Sequence, residues 1–467
     1  MSGTARLDRG VLAERTAVEL EHFIASNPKS KELFERARHT LVGGVPMPWM
    51  MRWAGGFPVF AEKASGARIT DVDGHTYIDL CLGDTGSMPG HGPAPVVSAV
   101  SEQAARGITT MLPTEDAAWA GEEMARRFLL DRWMFTLTAT DANRAALRIC
   151  RLLTGRSKVL VYSYAYHGSV DEAFAVTGPG GTTVSREGNV GPPVDPSETT
   201  VAIEFNDVNA LERALATEEI ACVLAEPAMT NMGIVLPEEG YHDALRALTR
   251  AHGTLLIIDE THTFSAGPGG CTDEWGLDPD LFTIGKAIGS GIPAGAVGMT
   301  LDVTERMLAD IEADYEDTGG VGGTLAGSAL SMAAIRSTLS EVLTPEAFEH
   351  TIPLATRFCE GVRQVVREFG LPWNVSQLGA RAEYRFEEQP ARNGTQAFEA
   401  SDPELERYLH LHALNRGVLI TPFHNMALMS PSTTEADVDR HTAVFREAVS
   451  DLFGDRRPAA GRNGDRP

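Results

Sequence analysis

Lysine is scarce in this sequence: of 467 residues only Lys29, Lys31, Lys63, Lys158 and Lys286 are lysines, and every other basic side chain is an arginine. Positive charge is short overall. Forty Lys and Arg stand against 64 Asp and Glu, a formal charge of −24, so the chain lacks the basic face that a nucleic-acid or anionic-membrane partner requires. No uncharged apolar run approaches the roughly 18 residues of a membrane span. The opening residues, MSGTARLDRGVLAERTAVELEHF, hold no apolar core of an export signal. Cysteines number five (Cys81, Cys150, Cys222, Cys271, Cys359), far apart and without a CxxC pair, which argues against a disulfide framework and for a reducing, cytoplasmic setting. Neither HExxH nor a Cys/His cluster occurs, and His410 and His412 face different ways on a helix, so no catalytic metal is expected.

What is present is the composition of a large folded enzyme, with 43% hydrophobic and 22% charged residues. Residues 1–60 read as a helical arm followed by a substrate-lining segment. The arm, residues 11–42, has helical apolar spacing broken at Asn27-Pro28, and the irregular GGVPMPWMMRWAGGFPVF that follows is rich in Met and Trp. Residues 61–330 form a large unit that opens with a hairpin signal at Asp73-Gly74. Strand-like runs (WMFTLT, KVLVYS, IACVLAEP, TLLIIDE, DLFTIGK) then alternate with helical patterns. That alternation predicts an α/β fold with a mostly parallel central sheet and helices on both faces. Residues 331–455 read as a smaller α+β unit ending in a helix from Glu435 to Phe453, and residues 456–467 as a disordered tail.

The lone lysine of residues 281–298, LFTIGKAIGSGIPAGAVG, is the candidate reactive group. It sits among apolar residues and glycines with no other charge in the stretch, a setting that desolvates an ammonium and favours the nucleophilic amine; the alternative is a stem covering apolar atoms while the ammonium reaches water. Upstream, TLLIIDE places Asp259 at the carboxyl end of a buried strand, the edge where open α/β sheets bind ligands. A buried carboxylate needs a cation, either an arginine or the protonated ring nitrogen of a pyridine cofactor. Thr138, Ala139 and Thr140 start a helix whose free N–H groups suit a phosphate. Tyr166 and His167 follow one strand, Glu226 ends another, and Thr324 lies in a glycine-rich turn before a helix.

Taken together, ATDAN, YHG, EP, IIDE and GKAIGSGIPAGAVG resemble the class III aminotransferases of pyridoxal-phosphate fold type I. Within them the likeness is to glutamate-1-semialdehyde aminomutases and β-amino acid aminotransferases. The resemblance implies pyridoxal 5′-phosphate as cofactor, with Lys286 bonded covalently to it and shuttling protons, and Asp259 paired with the ring nitrogen. It also implies Tyr166 stacked on the ring, His167 beside it, the 138–140 turn on the phosphate, and Glu226 in a supporting role. A homodimer with a shared active site follows too, Thr324 serving the neighbouring subunit's phosphate.

Departures from the family pattern bear on substrate. The phosphate turn reads TATDA in place of SGTEA, and DETHTFSA replaces DEVxTGFR, so Thr261 lies where relatives have valine; His262 fits either a site residue or a packed histidine. Trp49 stands where carboxylate-binding relatives carry an arginine, leaving Arg52 as the nearest guanidinium, and Phe423 and His424 occupy the late segment where β-amino acid enzymes offer another. The function expected is ping-pong transfer of an amino group from an amine or amino acid, β, ω, apolar or aromatic, to a carbonyl acceptor. The alternatives are an intramolecular aminomutase of the glutamate-1-semialdehyde type and a cofactor-binding protein without turnover.

Overall fold

The computed structural model describes residues 7–191, 193–309 and 320–454; the expected tail at 456–467 lies outside them. Burial on both faces drives the central sheet. Its strand Ile220–Ala225, IACVLA, has all six residues buried, and neighbouring residues along a strand serve opposite layers. Leu255 and Ile257 pack with Ala142, Ala146 and Ile149 of helix Ala139–Thr154 on one face, whereas Leu256 and Ile258 pack with Tyr241 and Leu245 of helix Tyr241–Ala251 on the other.

Seven strands run in the order Arg132–Thr136, Gly295–Met299, Leu281–Ile284, Leu255–Asp259, Ile220–Ala225, Lys158–Tyr162, Thr200–Ile203. Gly295–Met299 is antiparallel to both its neighbours and the other pairings are parallel. The carboxyl ends of the parallel strands therefore share one edge. Asp259 ends one strand, Lys286 follows another by two residues, Glu226 follows a third, and the 138–140 turn and Tyr166-His167 follow two more.

A second, antiparallel sheet of Asn374–Leu378, Arg381–Arg385 and Met426–Leu428 packs against helices Pro345–Phe369 and Glu435–Phe453. The hairpin at Asp73-Gly74 forms between Arg68–Asp71 and Thr76–Asp79. Its second strand pairs in parallel with Val418–Leu419 in a separate four-stranded sheet and not with the seven-stranded one. The N-terminal helices are Arg9–Ser26 and Pro28–Ala37, parted at Asn27 as the sequence implies, and the first packs on helix Pro403–Asn415.

Aromatic packing locks the strand that leads into Lys286. Phe282 is fully buried, its ring 4.8 Å from that of Phe128 and 5.5 Å from that of Trp133. Replacing Phe282 by Ala should cost about 3–5 kcal/mol by loss of burial and creation of a cavity, read as a lowered midpoint in thermal or urea denaturation.

Candidate active site

A cavity of about 360 Å3 opens at the carboxyl edge, lined among others by Thr138, Ala139, Thr140, Tyr166, His167, Asp259, Thr261, His262 and Lys286. Eight of the residues singled out in the sequence as reactive or cofactor-facing thus meet in one place. At one end helix Ala139–Thr154 begins. Thr138 caps it, its hydroxyl accepting from Asp141 N at 3.3 Å, and the first N–H groups of the helix point outward with the positive end of its dipole. Gly168, at φ +79°, lets the Tyr166-His167 loop close on this end: a Cβ there would lie 2.0 Å from Thr140 Oγ1.

Asp259 sits deeper, 3% exposed. Its Oδ1 accepts from Thr261 N at 3.0 Å and Thr261 Oγ1 at 2.6 Å, and its Oδ2 is 2.8 Å from both Asn143 Nδ2 and His167 Nδ1. Burial alone would raise its pKa, but the His167 contact and these hydroxyl and amide donors outweigh it and hold the carboxyl at about 2. Asp259 is thereby a carboxylate at every ordinary pH. Asn143 organises it further, donating also to His167 O and accepting from Thr283 Oγ1 at 2.7 Å. Asn143 was not singled out in the sequence; its one signal is a polar residue on the alanine-rich apolar face of its helix.

The charge-free setting read for Lys286 does not hold. Its Nζ lies 2.8 Å from Asp84 Oδ2 and 2.8 Å from His262 Nε2. Asp84 is 202 residues away in the chain, so no local window could reveal it. It comes from a turn in which Leu82, Gly83, Asp84 and Thr85 have φ of 47°, 59°, 50° and 80°. Left-handed geometry at non-glycine residues costs of order 1–3 kcal/mol each. Asp79 buttresses the turn by accepting from Cys81 N and Leu82 N, both at 2.9 Å. Burial pushes the Asp84 carboxyl up, yet the contact with Lys286, first, and the nearby Arg381 hold it well below the carboxylate range.

His262 is a site residue and not merely a packed one, for its two ring nitrogens contact Lys286 on one side and Thr85 Oγ1 and Arg381 on the other. Arg381, 1% exposed, also went unnoticed, because alternating charges in ARAEYRF read as a solvated strand, whereas all five residues of Arg381–Arg385 are buried.

A second cavity of about 920 Å3 adjoins the first through Tyr166, His262 and Lys286, and is walled by Met47, Trp49, Met50, Trp53, Phe423 and His424 among others. The Trp49 ring stands edge-on to Tyr166 at 5.7 Å and to Phe423 at 4.7 Å. Trp49 and Phe423 thus wall the cavity that adjoins Lys286. Arg52 does not line this cavity: it is exposed, with its guanidinium 5.7 Å from the Trp49 ring centroid.

Two further residues stand outside both cavities. Thr324 is exposed in residues 320–327 and touches neither in this chain. Glu226 lies behind the site, 3% exposed, accepting from Thr230 N at 3.2 Å and Thr230 Oγ1 at 2.5 Å. Burial raises its pKa from 4.5 to about 7. The folded state thus holds this proton more tightly than the unfolded chain, so its contribution is full below pH 4.5 and is lost as pH rises through 7. The loss across that window is roughly 3 kcal/mol. Denaturation midpoints measured from pH 4 to 8 should fall more steeply for the wild type than for Glu226→Gln, which has no proton to lose.

Comparison with known proteins identifies the family. The family model for class-III aminotransferases matches residues 49–449. Glutamate-1-semialdehyde 2,1-aminomutase 2 of Brevibacillus brevis is 33% identical over 437 residues, covering 91% of this chain and 99% of that one. Among solved structures, a glutamate-1-semialdehyde-aminomutase from Pseudomonas aeruginosa PAO1, in complex with PMP, superposes with a TM-score of 0.94 at 46% identity over 96% of this chain and 99% of that one. An omega-transaminase from Sphaerobacter thermophilus gives 0.82 at 29% identity, over 91% and 97% of the two chains. By its matched length and its likeness to these proteins, the chain belongs to the class-III aminotransferases.

Proposed function

We propose that this protein is a pyridoxal-phosphate enzyme that moves an amino group between two carbons of one substrate, the aminomutase reaction for which several of its relatives are named. The observation that carries a pyridoxal-phosphate reading is the single cavity holding a helix N-terminus, a buried permanent carboxylate and one lysine. These match the phosphate, the protonated ring nitrogen and the aldehyde of the cofactor in kind and number. When bound, the cofactor supplies an aldehyde that condenses with amines and a ring that draws electrons from the carbon losing its proton.

The chain's residues supply the rest. Thr138, Ala139 and Thr140 would hold the phosphate, Tyr166 and Thr261 would bound the ring, and Asp259, held as an anion by His167, Asn143 and Thr261, would keep the ring nitrogen protonated. Lys286 moves the proton at its Nζ, with Asp84 and His262 in contact. Glu226 acts at one remove, as a buried carboxyl behind the site.

Thr324, exposed and remote from this chain's cavity, is read as serving the phosphate of a second copy in a homodimer. Exposed Ile108, Met111, Leu112 and Leu325 support such an interface. Five free, buried cysteines support a reducing, cytoplasmic setting. Among the described residues no helix is long and apolar enough to cross a membrane.

A second reading, transfer of an amino group from an apolar or aromatic amine to a separate carbonyl acceptor, is favoured by the Trp49, Tyr166 and Phe423 cluster and by Arg52 lying outside the cavity. Products discriminate. The cofactor-loaded protein given glutamate-1-semialdehyde, β-phenylalanine and ω-amino acids should yield an isomer with its nitrogen retained and no free carbonyl product. Stoichiometric release of a free keto acid or aldehyde would instead establish the transaminase reading, and Lys286→Ala should abolish either by at least about a thousandfold.

A further inference from the structure

The imidazole of His262 stands between two cationic side chains. Its Nδ1 is 2.9 Å from Arg381 Nη1 and 2.9 Å from Thr85 Oγ1, and its Nε2 is 2.8 Å from Lys286 Nζ. A guanidinium has five N–H donors, no acceptor, and does not lose its proton in a protein. The Nδ1 that meets it must therefore offer a lone pair. A neutral imidazole has one such nitrogen, so the ring proton is on Nε2, directed at the lysine. An imidazolium would set N–H against N–H on the Arg381 side. Burial, foremost, holds the His262 pKa well below its ordinary value, in keeping with a neutral ring.

Arg381 cannot readily yield this contact. Its residue is paired on one side with Leu378 and on the other with Leu428 in the middle strand of the smaller sheet, and its Nη2 lies 3.8 Å from Asp84 Oδ1. On the far side, Asp84 Oδ2 accepts from Lys286 Nζ at 2.8 Å. The lysine nitrogen thus has one acceptor, Asp84, and one donor, His262 Nε2–H. That donor is satisfied when Nζ carries a lone pair, the form that reacts with a carbonyl.

We propose that His262 is a catalytic partner of Lys286 that donates from Nε2 to the lone pair of Nζ, and that Arg381 is the positioning residue that fixes this tautomer. The assignment rests on reading Lys286 as the reacting amine. The groups facing the pair are Asp84 from the 82–85 turn, Asp259 from the central sheet, Arg381 from the smaller sheet, and His424, which acts on Asp84. Without Arg381 the ring is free to place its proton on Nδ1, toward Thr85 Oγ1. Nε2 then joins Asp84 as a second acceptor, which favours the ammonium.

The test uses the full-length apoprotein and an amine-directed reagent, trinitrobenzenesulfonate, with labelling of Lys286 against exposed Lys63 followed by peptide mass spectrometry across pH. Arg381→Met should slow Lys286 labelling near neutral pH by about tenfold, and Arg381→Lys should restore most of the rate. The His262→Leu background separates the tautomer from simple charge. There the same Arg381→Met change should alter labelling by less than about twofold; an equal slowing in both backgrounds, or none in either, overturns the proposal. Nitrogen-15 NMR of imidazole-labelled wild type needs no buried-arginine variant: a His262 ring protonated on Nε2 supports the assignment, and one protonated on Nδ1 refutes it. None of these readouts depends on turnover. A protein with this labelling pattern that binds no cofactor would refute the functional reading and leave the pairing of His262 and Lys286 standing.

Discussion

The contact between Lys286 Nζ and Asp84 Oδ2 is the one on which the rest of the site depends. It joins the end of a central-sheet strand to a left-handed turn that follows a strand of a different sheet. Formation of that contact requires the two sheets to pack in one arrangement, since Asp84 is carried by the hairpin that pairs with Val418–Leu419. It also gathers His262 and Asp84 around Lys286, with Arg381 behind them and Asp259 lining the same cavity. Buried charges are costly unless paired, and here each is paired by a group from a different segment. The strain of the 82–85 turn is retained because Asp79 and the charges around Asp84 over-determine it.

The fold was legible where burial leaves a period in the text. Runs such as IACVLA and LLIID, apolar on both faces, announced parallel strands between helices, and Asp73-Gly74 announced its hairpin. Pairing partners were not legible. Nothing local in TYID says that it will bond to Val418–Leu419 some 340 residues on, because register between distant strands is set by global packing. The short 3-10 turns at Val42–Gly44 and Pro48–Arg52 likewise have no period to detect.

The candidate site divides in the same way. Residues that follow strands directly, namely 138–140, Tyr166, His167, Asp259 and Lys286, could be assigned to one edge because parallel strands deliver their ends together. Asp84, Arg381 and Asn143 could not. The first comes from a glycine-rich turn that reads as a loop, the second from a strand whose charges mimic a solvated face, and the third from inside a helix. Arg52, a guanidinium near in sequence to the cavity wall, instead lies exposed over the Trp49 ring. The charge-free setting read for Lys286 failed for one reason, that a window of eighteen residues cannot see what folds onto it.

In the proposed function Lys286, at the carboxyl edge of the central sheet and lining one cavity with Asp259, is the residue to which the cofactor bonds covalently. Borohydride reduction of the pyridoxal-phosphate-loaded protein, followed by peptide mass mapping, tests it most directly. A single reduced adduct on the peptide carrying Lys286 is predicted. An adduct confined to Lys29, Lys31, Lys63 or Lys158, or none at all, would contradict it.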